Sequence, residues 1–223
     1  MPIILAPMGS ASSAEFAAAA SNQGALGSLG TLNRATGDII RDIDAVKQLT
    51  NKSYAVIPPA LDLDAFRHTL AARPPVISFA LGDPGDLVQQ ADDVGAKVMV
   101  QVTTVVQAAE AARRGADIII AQGAEAGGYG GTISTMALVP QVVDAISPLP
   151  VVAAGGIYDG RGIAAALMLG AVGVNLGSRF LASNEAPIDG TWKKAIVEAR
   201  SEDVVKLDVF NDIQPIPGNV LNH

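Results

Sequence analysis

From its first residues to about position 180 the chain alternates between two hydrophobic rhythms. Short runs of nearly unbroken apolar residues give way to longer stretches in which apolar positions recur every three or four residues. The runs are Pro2–Met8, Leu26–Thr31, Tyr54–Pro58, Val76–Leu81, Lys97–Val102, Asp117–Ala121, Val151–Ala154 and Val172–Leu176. Each is too short for a helix and lacks strict alternation, which predicts strands buried on both faces. The stretches between them predict helices over residues 12–22, 36–49, 62–72, 104–114, 134–146 and 160–169, with one more starting at Asp83–Pro84. Ser12 or Ser13 and Asp62 stand where N-caps belong, Pro84 takes the favoured first helical position, and Gly24, Gly115 and Gly170 close helices.

Eight strand–helix units follow one another in this way. A helix between successive strands forces a parallel crossover, and eight such units predict a closed (β/α)8 TIM barrel with its site on the loops after the strands. A doubly wound open sheet is the structural alternative. The barrel is expected over residues 1–182. Residues 183–223 are expected as a C-terminal helix and irregular tail packed on it, with any further helical lid short or absent. In that part, Asp189–Arg200 predicts an amphipathic helix with Trp192, Ile196 and Val197 on one side, Val204–Phe210 a short extension, and Gln214–His223 an irregular tail.

Composition narrows the chemistry. At 223 residues and 49% hydrophobic, the chain is long enough for one large core. A net charge of −7 with 15 Lys and Arg gives no electrostatic footprint for nucleic acid or an anionic membrane. The absence of cysteine excludes disulfides, thiolate catalysis and cysteine-ligated metal. His68 and His223 are the two histidines, too few for a histidine-rich metal centre, so no metal is expected. No apolar run reaches the ~18 residues of a membrane span, and the N-terminus lacks a signal-peptide pattern. A cytoplasmic protein is expected, and its alanine-rich helix faces are compatible with a homodimer.

The candidate chemistry gathers at predicted strand ends. Ala121–Thr132, AQGAEAGGYGGT, places five glycines (Gly123, Gly127, Gly128, Gly130, Gly131) after the sixth strand, together with Glu125 and Tyr129. Glycine allows a ligand to approach bare main chain. Glu125 lies where its carboxylate can accept main-chain N–H groups and fix the loop, which lowers its pKa and makes it a poor base. Two further glycine turns, Gly155–Gly156 and Asn175–Leu176–Gly177–Ser178, follow the seventh and eighth strands. Neighbouring turns there can hold a phosphate dianion on backbone N–H groups without lysine, although Gly155–Gly156 alone would equally serve close packing. Ala6, Pro7 and Met8 end the first strand, Gln101 the fifth and Gln122 the sixth, on the same rim. The two glutamines suit a flat ring with mixed donors and acceptors. Equally, either could satisfy a loop backbone.

The motifs APMG, DPGD, QVTT, AQGAEAGGYGG, PVVAAGGI and ALMLGAVGVNLGSRF, in this order, resemble the nitronate monooxygenase (2-nitropropane dioxygenase) family, whose relatives include FMN-dependent enoyl-acyl-carrier-protein reductases. The resemblance covers about residues 2–187. It implies a TIM barrel with non-covalent FMN, phosphate on the last two strand turns, and flavin contacts at Gln122, Gly127, Gly156 and Asn175–Ser178. It further implies oxidation of a nitronate by molecular oxygen. Alternatives are an NAD(P)H-dependent reductase of enoyl thioesters or quinones, and a non-catalytic flavin-binding protein. A phosphate-sugar barrel is disfavoured, because no lysine ends a predicted strand.

The chain departs from the family pattern at three places. Tyr129 stands where the family commonly has a histidine linked to proton transfer. A phenol is a poor base at neutral pH but a usable hydrogen-bond donor. Ala55–Pro58 stands where the family often has an asparagine after the third strand. Members are also longer, with a helical lid, which leaves the substrate side open, completed by a partner, or outside this sequence.

Overall fold

The computed structural model describes residues 2–32, 34–58, 62–80, 82–208 and 218–221. Strand β1 (Ile3–Leu5) leads to helix α1 (Ala14–Asn22), β2 (Gly27–Gly30) to α2 (Thr36–Leu49), β3 (Tyr54–Ile57) to α3 (Leu63–Ala72), and β4 (Val76–Phe79) to α4 (Leu87–Asp93). β5 (Lys97–Val102) leads to α5 (Val105–Arg113). β6 (Ile118–Gln122) opens into the glycine loop, where a two-residue strand β7 (Gly128–Tyr129) precedes α6 (Thr135–Ile146). β8 (Val151–Ala154) and α7 (Gly160–Met168), then β9 (Gly173–Leu176) and the short α8 (Ser178–Leu181), complete the repeat. The chain continues through α9 (Gly190–Glu198), β10 (Val204–Leu207) and β11 (Gly218–Leu221).

Eight strands pair in parallel in the order β1-β9-β8-β6-β5-β4-β3-β2. The two ends of that row meet: Ile4 bridges Leu26, with the Leu26 N–H donating to Ile3 O (2.8 Å) and the Leu5 N–H to Leu26 O (2.9 Å). This closure makes a (β/α)8 barrel and excludes the open doubly wound sheet. It also removes the unpaired edges that an open sheet would present.

Strand residues face two cores. Ile119, Val151, Val174 and Leu176 pack outward against the helices, as do Leu29 and Val56 on the other side of the barrel. Ile4, Ala55, Val76, Met99, Ile120, Val152 and Ala154 fill the barrel interior. Continuous apolar strands are the consequence, since both faces are buried. Burying each of the larger side chains contributes roughly 1.5–3 kcal/mol.

Local capping explains most helix starts. Ser13 accepts from Phe16 N, Asp62 from Asp64 N and Ala65 N, Thr104 from Gln107 N and Asp159 from Arg161 N and Gly162 N. Each cap stabilises its helix by about 1 kcal/mol. Ser12, the other candidate, does not cap the helix. Its hydroxyl accepts from Gly30 N (2.8 Å) and donates to Ser28 O (3.2 Å), joining the first turn to β2.

Four expectations are corrected. The helix expected from Asp83–Pro84 begins only at Leu87, because Asp83 Oδ1 accepts from Gly85 N (2.9 Å) and Gly85 takes φ +55°. That makes a tight turn where the proline pattern suggested a helical first turn. The expected apolar side of α9 is only partly covered: Ile196 is half-buried, but Trp192 is 45% and Val197 68% exposed among the described residues. The Val204–Phe210 extension is a strand over Val204–Leu207, with 209–210 outside the described residues. The tail expected to be irregular contains β11, antiparallel to both β10 and β7; its residues 214–217 and 222–223, like Leu81, lie outside the described residues. A four-residue strand of this kind is specified by its partners, and its own sequence carries no alternation long enough to show it.

Among the described residues no helix is long and apolar enough to cross a membrane, and no group of three or more His, Cys, Asp or Glu is placed to hold a metal ion.

Candidate active site

Strand alternation puts polar side chains at the inner C-terminal rim of the barrel. Gln101 follows the inward Met99 by two residues, and Gln122 follows the inward Ile120 by two. Asn175 pairs in register with the inward Ile4 and Ala154. The structure joins the two glutamines: Gln101 Nε2 donates to Gln122 Oε1 (2.7 Å), and Gln122 Nε2 donates to Tyr129 O (2.8 Å). Both ends of the Gln122 amide are therefore engaged within the protein, which fixes the loop backbone at Tyr129. Asn175 differs. It is 6% exposed, and its Oδ1 is buried without a hydrogen-bond partner among the described residues. A buried acceptor left in this state costs about 1–3 kcal/mol, which a ligand bearing an N–H group would relieve.

The glycine loop is pressed against α6 and the turn after β8. A side chain at Gly123 would place its Cβ 2.0 Å from Thr135 Oγ1. At Gly155, with φ +111°, a Cβ would lie 2.8 Å from Thr135 Oγ1 and 3.0 Å from Ala126 N. Only glycine permits this approach. Glu125 turns its carboxylate onto the start of α6, where Oε2 accepts from Thr135 N (2.8 Å) and Thr135 Oγ1 (2.7 Å).

Partial burial pushes the Glu125 pKa up, but the Thr135 bonds and the nearby Lys206 ammonium outweigh it and hold the carboxyl below its usual range. The stability this contributes is complete above the unfolded carboxylate pKa and is lost as pH falls through the lower folded value. Glu125→Gln should therefore flatten the acid limb of the stability curve below about pH 4, with only a few tenths of a kcal/mol, roughly, lost at pH 7 because the carboxylate is solvent-screened. Melting temperatures of the two proteins from pH 7 to pH 3 check this; an unchanged acid limb would refute it.

The remaining rim residues converge around the end of β9. Ala6 N donates to Leu176 O (2.9 Å). A Cβ at Gly177 would lie 3.5 Å from Met8 Sδ and 3.7 Å from Ala6 Cβ, and one at Gly127 3.6 Å from Ser178 Oγ. Gly156 abuts Glu125, whose Cβ lies 3.2 Å from the position of a Cβ added there. Ala6, Met8, Gly127, Gly155, Gly156, Gly177 and Ser178 thus come together through a few shared contacts, with Pro7 in the same turn as Met8. Leu176 brings only its carbonyl, already bonded to Ala6; its side chain packs among the outer core. Gly128 pairs with β11 on the loop's other side, and Tyr129, half-buried, pairs with Gly218.

That hairpin was not legible in the sequence. Asn219 Nδ2 donates to Ala124 O and Ala126 O, both at 2.7 Å, and Lys206 Nζ donates to Gly131 O (3.2 Å). The contacts join residues more than 70 positions apart, and no local pattern marks them.

The family model described as nitronate monooxygenase matches residues 1–62 and 62–212. A probable nitronate monooxygenase from Staphylococcus haemolyticus is 32% identical over 94% of this chain and 72% of its own length. A (3aS,4S,5R,7aS)-5-hydroxy-7a-methyl-1-oxo-octahydro-1H-indene-4-carboxyl-CoA dehydrogenase from Mycobacterium tuberculosis is 35% identical over 99% of this chain, which spans 62% of that protein. Among solved structures, FabK from Thermotoga maritima superimposes with a TM-score of 0.94 at 34% identity, covering 99% of this chain and 71% of that one. A nitroalkane oxidase from Streptomyces ansochromogenes gives a TM-score of 0.87 at 27% identity, covering 98% and 76%. By the family match, which spans nearly the whole barrel and its C-terminal extension, the chain belongs to the nitronate monooxygenase family and is an oxidoreductase.

Proposed function

We propose that this oxidoreductase binds FMN and oxidises alkyl nitronates with molecular oxygen. The observation that carries the reading is the rim where glycine turns after β6, β8 and β9 adjoin Ala6 and Met8, beside the unpartnered Asn175 Oδ1. These residues fit a flavin: glycines leave the main chain bare for a phosphate and a flat ring, and Asn175 offers a buried acceptor to a ring N–H. Gly155–Gly156 and Gly177–Ser178 would hold the phosphate, Gly127 and the Ala6–Met8 turn would flank the ring, and Gln101 with Gln122 would border it. A flavin held there would supply the two-electron redox chemistry between a nitronate and oxygen.

The chain's own residues then have limited but defined roles. Glu125 fixes the loop and does not act as the base. Tyr129 donates a hydrogen bond to a nitro oxygen of the substrate and so binds its negative charge. A nitronate has already lost its carbon-bound proton, so no base is required. The barrel over 1–182 carries these groups, and Lys206, Gly218 and Asn219 adjoin the glycine loop.

A second reading, reduction of an enoyl thioester with NAD(P)H, is favoured by the likeness to FabK. There Tyr129 would supply the proton. Anaerobic mixing separates the two: loss of the yellow flavin absorption with a nitronate and not with NAD(P)H is expected. Bleaching by NAD(P)H alone would move the assignment to the reductase, and bleaching by neither to a flavin-binding protein without turnover.

A further inference from the structure

The glycine loop is pinned from two opposite sides. On one side Glu125 reaches the start of α6 through Thr135 N and Oγ1. On the other, the two peptide carbonyls that bracket Glu125, those of Ala124 and Ala126, both accept from Asn219 Nδ2 at 2.7 Å. A primary amide has two N–H donors, and here both have an acceptor. The backbone of the same residue pairs with Gly128, and its neighbour Gly218 pairs with Tyr129. Gly127, which faces Ser178 across the rim, thus lies between two residues that Asn219 holds.

We propose that Asn219 is a positioning residue of the active site: its side-chain amide sets the shape of the loop that presents Gly127 and Tyr129 to the cofactor and substrate. The proposal rests on the reading of that loop as part of the flavin site. Among the described residues the first two of β10 are not seated by apolar burial, since Val204 is 44% and Val205 37% exposed. Among the described residues the contacts that join the hairpin to the glycine loop are directed and polar: the Asn219 amide, the β7–β11 pairing and the Lys206 bond to Gly131 O. A segment with five glycines in nine residues (123–131) has unusual backbone freedom to restrain, so a two-donor clamp at its middle decides which conformation is populated.

The isosteric change Asn219→Asp is the sharpest test. It keeps shape and volume but replaces two donors with acceptors facing two carbonyls. Tail packing alone would tolerate it, whereas the clamp would not. Hydrogen–deuterium exchange of the full chain as purified is expected to quicken at least ~10-fold over residues 123–131 in both Asn219→Asp and Asn219→Ala, with β5 and β8 unchanged. Asn219→Asp should be the more severe. On a nitronate, kcat is expected to fall ~10-fold or more with KM altered less than ~3-fold, as for lost alignment at unchanged binding. Unchanged loop exchange in both variants overturns the proposal, as does faster exchange with unaltered flavin spectrum and kcat. If the unmodified protein holds no flavin and oxidises nothing, the functional reading fails by itself. The exchange comparison then still decides whether Asn219 sets the loop.

Discussion

Replacing Gly177 with leucine is expected to remove flavin from the purified protein, weakening binding by ~100-fold or more, while the melting temperature stays within about 3 °C of the unmodified chain. At this position the ligand site and the fold make separate demands. Gly177 has φ −104°, a conformation open to any residue, and a Cβ there meets only Met8 Sδ at 3.5 Å and Ala6 Cβ at 3.7 Å. Those are ordinary van der Waals separations, so the backbone need not shift. The rest of the leucine side chain, however, must occupy space over the rim beside Ala6 and Met8. A loss of ~100-fold in affinity is about 2.7 kcal/mol, within reach of one misplaced side chain in a close-fitting site. Gly155→Ala is the contrasting control. Its φ of +111° and the 2.8 Å approach to Thr135 Oγ1 make that substitution a strain on the fold itself, of about 1–3 kcal/mol. Flavin content by absorbance and melting by circular dichroism check both. Full flavin occupancy in Gly177→Leu would remove the phosphate from this turn.

The second large effect concerns Tyr129. Turnover of preformed nitronates is expected to exceed that of neutral nitroalkanes by ~100-fold or more, because a phenol cannot readily take a carbon-bound proton at pH 7. Tyr129→Phe should lower kcat/KM on nitronates by ~10–100-fold, the loss of one hydrogen bond to a charged oxygen. Tyr129→His should bring in nitroalkane turnover with a pH profile rising at about 6–7, the range of an ordinary imidazole. Two of the contacts at this position are main-chain ones. Gln122 Nε2 reaches Tyr129 O, and the pairing is with Gly218, so both survive a change of side chain. Equal rates on nitronate and nitroalkane in the unmodified protein would sink the assignment. Loss of flavin or stability in Tyr129→Phe, with no substrate-dependent effect, would instead make the ring an aromatic plug under the loop.

Much of the barrel was legible along the chain because its elements are specified locally. Helix α2 over Thr36–Leu49, and strands β5 over Lys97–Val102 and β8 over Val151–Ala154, have the bounds that the hydrophobic rhythm predicts. The caps at Ser13 and Asp62 are short-range bonds between residues two or three apart, and residue type at one position is enough to foresee them. The count of strand–helix units and the double burial of the strands point to a barrel for the same reason. Periodicity reports how many faces of an element are covered.

It does not report by what. Closure through Ile4 and Leu26, the meeting of Gln101 with Gln122, and the burial of Asn175 with an unpartnered oxygen depend on strand order and register in three dimensions. Helix α9 has an amphipathic pattern, yet of its apolar side Trp192 and Val197 remain exposed among the described residues. The four residues of β11 had no pattern of their own and became a strand because β7 and β10 offered backbone groups to pair with. By itself the sequence determined the repeating units, the glycine turns and the kind of chemistry they suit, since these follow from nearest-neighbour sterics and burial. Only the tertiary structure decided that a distant asparagine holds the glycine loop. Hydrogen bonds between residues more than 90 positions apart form only when the whole fold has placed donor and acceptor within reach.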